Sequence, residues 1–127
     1  MAVGEIVVAR VGHAAAGTPD RVLVDRLWPR GVRRIDAPWD EWLKEVAPTT
    51  ALRQWYGHDP VRYEAFRQRY REELAAGRDT PGMRHLVELA RTRSVVLLTA
   101  SADIDRSHVP ILADFLAQQL RGPAPAS

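Results

Sequence analysis

The sequence predicts an α/β fold, with a small mixed or mostly parallel sheet of about three strands packed by about five or six helices. Three observations lead there. Two short β-branched and aliphatic runs, Val22-Leu23-Val24 and Ser94 to Thr99 (S-V-V-L-L-T), have the composition of buried strands, and Glu5 to Val11 (E-I-V-V-A-R-V) adds a third. Between these runs, apolar residues recur every three or four positions, the helical period. The chain of 127 residues is 46% hydrophobic, which suits one domain with one core over residues 1–120 and a disordered tail over 121–127 (R-G-P-A-P-A-S).

After the first strand, Gly12 to Asp20 is a loop of nine residues. A link that short favours an antiparallel or neighbouring return, because a parallel crossover usually takes a dozen residues or more. His13, alone in this loop, reads as a surface residue. The second strand ends in Asp25, Arg26, Trp28 and Arg30, closed by Pro29 and Gly31, so a buried run delivers costly polar groups to its own C-terminal end. In open α/β sheets that end is where ligands bind. The same charges also suit capping and loop tethering, and both uses stay open at this point.

Asp36 is a candidate N-cap with Pro38 in the first turn, and a short helix follows to Val46, with Trp39, Trp42, Leu43 and Val46 on one stripe and Asp40, Glu41, Lys44 and Glu45 elsewhere. Pro48 stops it. Thr49 or Thr50 caps a second short helix through Leu52, Trp55 and Tyr56, ended by Gly57. Asp59 before Pro60 is a strong helix start, and His58 sits between the two helix ends. The longest helix runs from Pro60 to about Ala76, with Tyr63, Phe66, Tyr70 and Leu74 inward, and Gly77 ends it. Thr80 and Pro81 open another, with Met83, Leu86, Val87 and Ala90 inward and His85 on its flank. Its exit into Ser94 to Thr99 lets that central strand lie parallel to the Val22 strand by a right-handed crossover. Thr99 to Asp103 then falls beside Asp25 and Arg26. A second polar cluster, Ser101, Asp103, Asp105, Arg106, Ser107 and His108, precedes a last helix with Ile111, Leu112, Phe115 and Leu116 inward, capped by Asp105 or Ser107.

Composition narrows the function classes. No run approaches the ~20 apolar residues of a membrane span, and Met1 to Arg10 lacks the pattern of a secretory signal. Cysteine is absent, which removes disulfides, thiolate catalysis and sulfur-ligated metals and makes the cytoplasm the expected compartment. The pI near 9.5 accompanies a net charge of only +2, because seventeen arginines stand beside a single lysine, Lys44. No cofactor motif is present. Asp103 to Ser107 alternates oxygen donors like the start of a calcium loop but lacks its glycine and closing glutamate, so no metal is expected.

Three motifs, V-L-V-D-R-L-W-P-R-G (Val22 to Gly31), W-L-K-E-V-A-P-T-T (Trp42 to Thr50) and W-Y-G-H-D-P (Trp55 to Pro60), occur in order. Together they resemble the YeaO-like branch of the domain-of-unknown-function 488 family, over about Arg21 to Leu116. The resemblance implies a compact α/β fold in the bacterial cytoplasm and no established activity. In the wider family the segment before the last helix resembles an acid-rich strand exit followed by a histidine, sometimes with cysteine where Ser107 stands. Serine here puts a thiol mechanism out of reach.

The first functional expectation is a pocket for a small anionic, phosphate- or nucleotide-like metabolite at the two strand ends, for binding or for hydrolysis or transfer. Arg26 and Arg30 suit a phosphate or carboxylate clamp, Trp28 a ring to stack on, and His58 and Ser101 further ligand contacts. For chemistry, Asp25 or Asp103 is the base or nucleophile, His108 (with His58) the proton shuttle, and Lys44 the neutralising cation. A second expectation is nucleic-acid binding through the arginine-rich helices Pro60 to Ala76 and Pro81 to Thr92. The third is an interaction module, such as a homodimer.

Overall fold

The computed structural model describes residues 5–12 and 20–121, and His13 and the tail beyond Arg121 lie outside them. Four strands, β1 (Ile6–Arg10), β2 (Asp20–Leu23), β3 (Glu41–Trp42) and β4 (Val95–Thr99), form one sheet in the order β1-β4-β2-β3, and every pairing is parallel. The described helices are α1 (Thr50–Tyr56), α2 (Tyr63–Ala76), α3 (Pro81–Thr92) and α4 (Val109–Arg121), with four single 3-10 turns between elements. The α/β class holds, with one strand more and fewer full helices than the sequence predicts.

Strand alternation sorts the core into two layers. Val22, Val24, Val95 and Leu97 face the main cluster, where they meet Leu52, Tyr56, Phe66, Tyr70, Leu86 and Leu112 from all four helices. Leu23, Val96 and Leu98 face the other side, where no helix residue joins their cluster among the described residues; Trp39 packs there with Trp28, Val32 and Trp42 around it. All five residues of β4 are buried, as its composition requires of a strand with a neighbour on each side.

Two expectations are corrected. The short link after β1 does not lead to an antiparallel or adjacent strand, since β4 separates β1 from β2 and all three run the same way. A dozen residues is the length of a crossover that contains a helix. Nine extended residues reach about 30 Å, more than the ~20 Å needed to go back along a five-residue strand and across two strand spacings.

The helix expected from Asp36 to Val46 is also absent. That segment is a 3-10 turn (Arg34–Asp36), the edge strand β3 and a second 3-10 turn (Lys44–Val46). The free edge of β2 captures it: Asp40 N–H donates to Arg21 O (2.8 Å), Leu43 N–H to Leu23 O (3.0 Å), and the Arg21 guanidinium pairs with the Asp40 carboxylate (3.3 Å). The apparent stripe is divided, because Trp39 belongs to one core layer and Val46 to the other.

The caps expected for the helices that form hold, whereas Asp36 lies inside a 3-10 turn and caps no helix. Thr49 Oγ1 accepts from Leu52 N–H (3.2 Å), Asp59 Oδ1 from Val61 N–H (3.1 Å) and Thr80 Oγ1 from Met83 N–H (3.4 Å). Of the two candidates for the last helix, Ser107 is the cap, accepting from Val109 N–H (3.2 Å). Tyr70, fully buried, donates its hydroxyl to Val46 O at 2.6 Å and so holds the turn after β3 against α2. Burial pushes its phenol pKa well up, the carboxylate of Glu73 adding to the effect. Tyr70→Phe is expected to lower stability by about 1–2 kcal/mol in urea unfolding, because the Val46 carbonyl is left buried without a donor; an unchanged midpoint would sink this.

Candidate functional site

The parallel order sets the carboxyl ends of β2 and β4 side by side. Val24 N–H donates to Leu98 O (3.1 Å), and one residue later Ala100 N–H donates to Asp25 Oδ2 (2.8 Å). Beyond these ends lies a cavity of about 220 Å³. That volume is roughly the share of seven liquid waters, below the usual range for a drug-sized ligand. Asp25, Arg26, Trp28, His58, Ser101 and His108 all line it, so six of the nine site residues expected from sequence surround one hollow.

Each is held differently. Arg26 donates from Nε to Pro48 O and from Nη2 to Ala47 O, both at 3.1 Å, which leaves the remaining guanidinium donors available. The carbonyl of Asp25 accepts from Trp42 Nε1 (2.7 Å), while Oδ1 of its carboxylate is buried and has no hydrogen-bond partner among the described residues. Trp28 forms one wall and packs edge-on against Trp39 and Trp42, at ring-centre distances of 4.8 and 5.3 Å. Tyr56 and Phe66 stack at 4.2 Å in the same lining. Tyr56 donates to Arg106 O (2.7 Å), and burial raises its pKa, with smaller upward contributions from Tyr63 and Asp103. His58 is the one described non-glycine residue at positive φ (+58°), directly after Gly57 at +54°, a backbone state that costs a histidine on the order of 1 kcal/mol.

His108 Nε2 lies 2.9 Å from Val24 O and 3.6 Å from Asp25 Oδ1. The carbonyl partner assigns the ring proton to Nε2. Burial lowers the His108 pKa below 6.5; the Asp25 carboxylate and the Val24 carbonyl oppose the shift without cancelling it. The ring is therefore neutral at pH 7. As pH falls through the unfolded value of 6.5, the unfolded chain takes up a proton that the folded ring refuses, so stability declines until the lower folded pKa is passed. Above 6.5 both states are neutral and the group contributes nothing. His108→Gln is expected to flatten the fall in melting temperature between pH 7 and 5, and an identical pH profile would contradict it.

Three expected residues stand outside this lining. Arg30 is exposed in the turn beyond Pro29. Lys44 is exposed on its 3-10 turn, its Nζ 5.4 Å from the Trp42 ring centre, because the segment around it follows β3 instead of forming a helix over the strand ends. Asp103 is exposed and pairs at 3.6 Å with Arg106, its neighbour across one 3-10 turn.

One residue was missed. Arg53 of α1 lines the cavity with its Nε buried and, among the described residues, without a hydrogen-bond partner. Its signal was its place three residues before the buried Tyr56 on the same helix, hence on the same face. Among the described residues neither Arg26 nor Arg53 forms an ion pair with a carboxylate.

The chemistry open to this arrangement is recognition of charge more than bond-breaking. Ser107 Oγ donates to Ile104 O (2.7 Å) as it caps α4, and Ser101 Oγ points to Asp103 O at 3.5 Å, so neither hydroxyl is set against His108. Among the described residues no group of three or more His, Asp or Glu is placed to hold a metal ion.

The fold and cavity thus define a parallel-sheet α/β protein with a basic, aromatic-walled hollow at its strand ends. The chain belongs to the DUF488-N3i family, whose model, described as the inactive DUF488-N3 subclade, matches residues 5–126. It is similar to the uncharacterized protein Rv3073c of Mycobacterium tuberculosis, 43% identical over 96 residues that make up 76% of this chain and 79% of that one. It is also similar to the uncharacterized protein YeaO of Escherichia coli, 41% identical over 96 residues, 76% of this chain and 82% of that one. No solved structure gives a significant match. Among the described residues no helix is long and apolar enough to cross a membrane.

Proposed function

We propose that the cavity binds a small anionic metabolite bearing a phosphate or carboxylate, and holds it without chemical turnover. The observation that carries this is the Arg53 guanidinium, set in a small hollow beside Arg26 with a buried Nε that nothing in the described protein satisfies. A buried donor without a partner costs about 1–3 kcal/mol, and an anion offers it an acceptor at charge-assisted strength. The Asp25 carboxylate offsets one of the two cations, which leaves an excess positive charge for a ligand. Binding without turnover fits the Ser107 hydroxyl engaged in capping and the description of the family as the inactive DUF488-N3 subclade. Residence in the cytoplasm suits a cysteine-free chain that recognises a metabolite.

The test is a thermal-shift and calorimetric screen of inorganic phosphate, sugar phosphates, nucleotides and carboxylates against the full chain. At least one is expected to raise the melting temperature of the wild type and to fail with Arg53→Met. A screen in which no anion binds would end the proposal. Nucleic-acid binding through α2 and α3 ranks second because α2 interleaves Glu64, Glu72 and Glu73 with Arg67, Arg69 and Arg71, which balances its charge; Arg67 meets Glu64, and Arg69 lies over the Trp55 ring.

A further inference from the structure

The cavity does not end at its tryptophan wall. Trp28 and Pro29 line it, and the chain continues from them into Arg30, Gly31, Val32, Arg33, Arg34 and Ile35, a segment without regular structure up to the 3-10 turn at Arg34. Arg33 is neutralised by Asp36, at 2.8 Å. Arg34 is not paired with a carboxylate among the described residues; its guanidinium carbon stands 5.5 Å from the centre of the Trp28 ring. Arg30, one residue past the wall, is exposed and likewise unpaired among the described residues. Two apolar side chains flank these cations in water, Leu27 at 57% exposure on the cavity lining and Ile35 at 84%. A solvated basic loop has no need of either.

The geometry points to a ligand longer than the hollow: the phosphorylated end of a nucleic-acid single strand, its terminal phosphate in the cavity with Arg53 and Arg26 and its next phosphates along Arg34 and Arg30. This rests on the anion reading of the cavity and extends it. Cations spaced along a surface loop match a chain of phosphates, and the exposed Leu27 and Ile35 offer apolar surface to bases, the pairing by which single strands are held without sequence preference. An acidic peptide meets the same cations but leaves the two apolar side chains and the indole without a flat partner.

The experiment measures binding of inorganic phosphate and of 5′-phosphorylated thymidine mono-, di- and tetranucleotides to the full chain across a salt series, with tetraglutamate as the peptide arm. Affinity is expected to rise with each added phosphate. The slope of log affinity against log salt should steepen by about 0.7 per phosphate engaged. Arg30→Gln combined with Arg34→Gln should bring the tetranucleotide back to the mononucleotide's affinity and leave the mononucleotide unchanged; neither side chain is part of the core, so the variant retains its fold. If the mononucleotide binds but longer strands bind no better, or if tetraglutamate matches the tetranucleotide, this inference is overturned while the cavity reading stands. If neither inorganic phosphate nor any of the nucleotides binds, this inference falls; if the carboxylates of the wider screen fail as well, the cavity reading falls with it.

Discussion

Replacing Arg53 by methionine is expected to weaken binding of a small anion by about 10- to 100-fold while leaving stability within about 1 kcal/mol of the original. The first half follows from charge-assisted hydrogen bonds, worth roughly 1.5–3 kcal/mol each when made to an ionised group, with tenfold in affinity for every 1.4 kcal/mol. The second half follows from what Arg53 lacks. Its Nε is buried with no acceptor among the described residues, so the substitution removes an unsatisfied donor and breaks no hydrogen bond that this atom makes there. Methionine has nearly the same helix propensity and a flexible stem of similar length, which keeps α1 intact. Calorimetry on the screened anion and urea unfolding of the same sample read the two halves separately. A variant that unfolds readily and still binds would show Arg53 to be scaffold.

Arg53 also shows where sequence reading stops. The fold's main features are local statements: apolar runs at Val22 to Val24 and Val95 to Thr99, threonine and aspartate caps, Gly57 and Gly77 as stops. They were legible because each depends on a few adjacent residues. The segment from Asp36 to Val46 was not, because tryptophans three residues apart satisfy a helix as well as an edge strand; the choice is made by the free backbone groups of Arg21 and Leu23, far back in the chain. The site divides the same way. Asp25, Arg26 and Trp28 announce themselves by following a buried strand, and Ser101 and His108 by following another. Arg53, beside Gln54 on a seven-residue helix, has the look of a solvated cation, and only the tertiary packing of α1, with Leu52 and Tyr56 buried in the core, brings it to the cavity lining. Lys44 is the converse. A lone lysine inside a motif attracts notice, yet the course of β3 leaves it in solvent.

The same cavity supplies the control. Arg26→Ala removes an equal charge from the same lining, but it is expected to cost about 2–4 kcal/mol of stability as well as binding. Arg26 Nε and Nη2 each hold a backbone carbonyl, Pro48 O and Ala47 O, in a stretch that is itself buried. Truncation leaves two acceptors short of donors, at about 1–3 kcal/mol apiece where no water replaces the guanidinium. It also loosens the segment that leads into the Thr49 cap, which is then left to the Tyr70 hydroxyl on Val46 O and to the Glu73 carboxylate, through bonds of 2.9 Å from Thr49 N–H and 2.6 Å from Thr49 Oγ1. Arg26→Lys separates the two roles. It keeps a positive charge at the cavity, yet a compact ammonium does not reproduce the planar fork across two successive carbonyls, so stability should fall with binding partly retained. Urea unfolding of Arg26→Ala, Arg26→Lys and Arg53→Met side by side gives the comparison. The expected order places Arg53→Met near the wild type, Arg26→Lys lower and Arg26→Ala lowest. If the two arginines exchanged places in that series, the assignment of Arg26 to the tether and Arg53 to the ligand would have to be reversed.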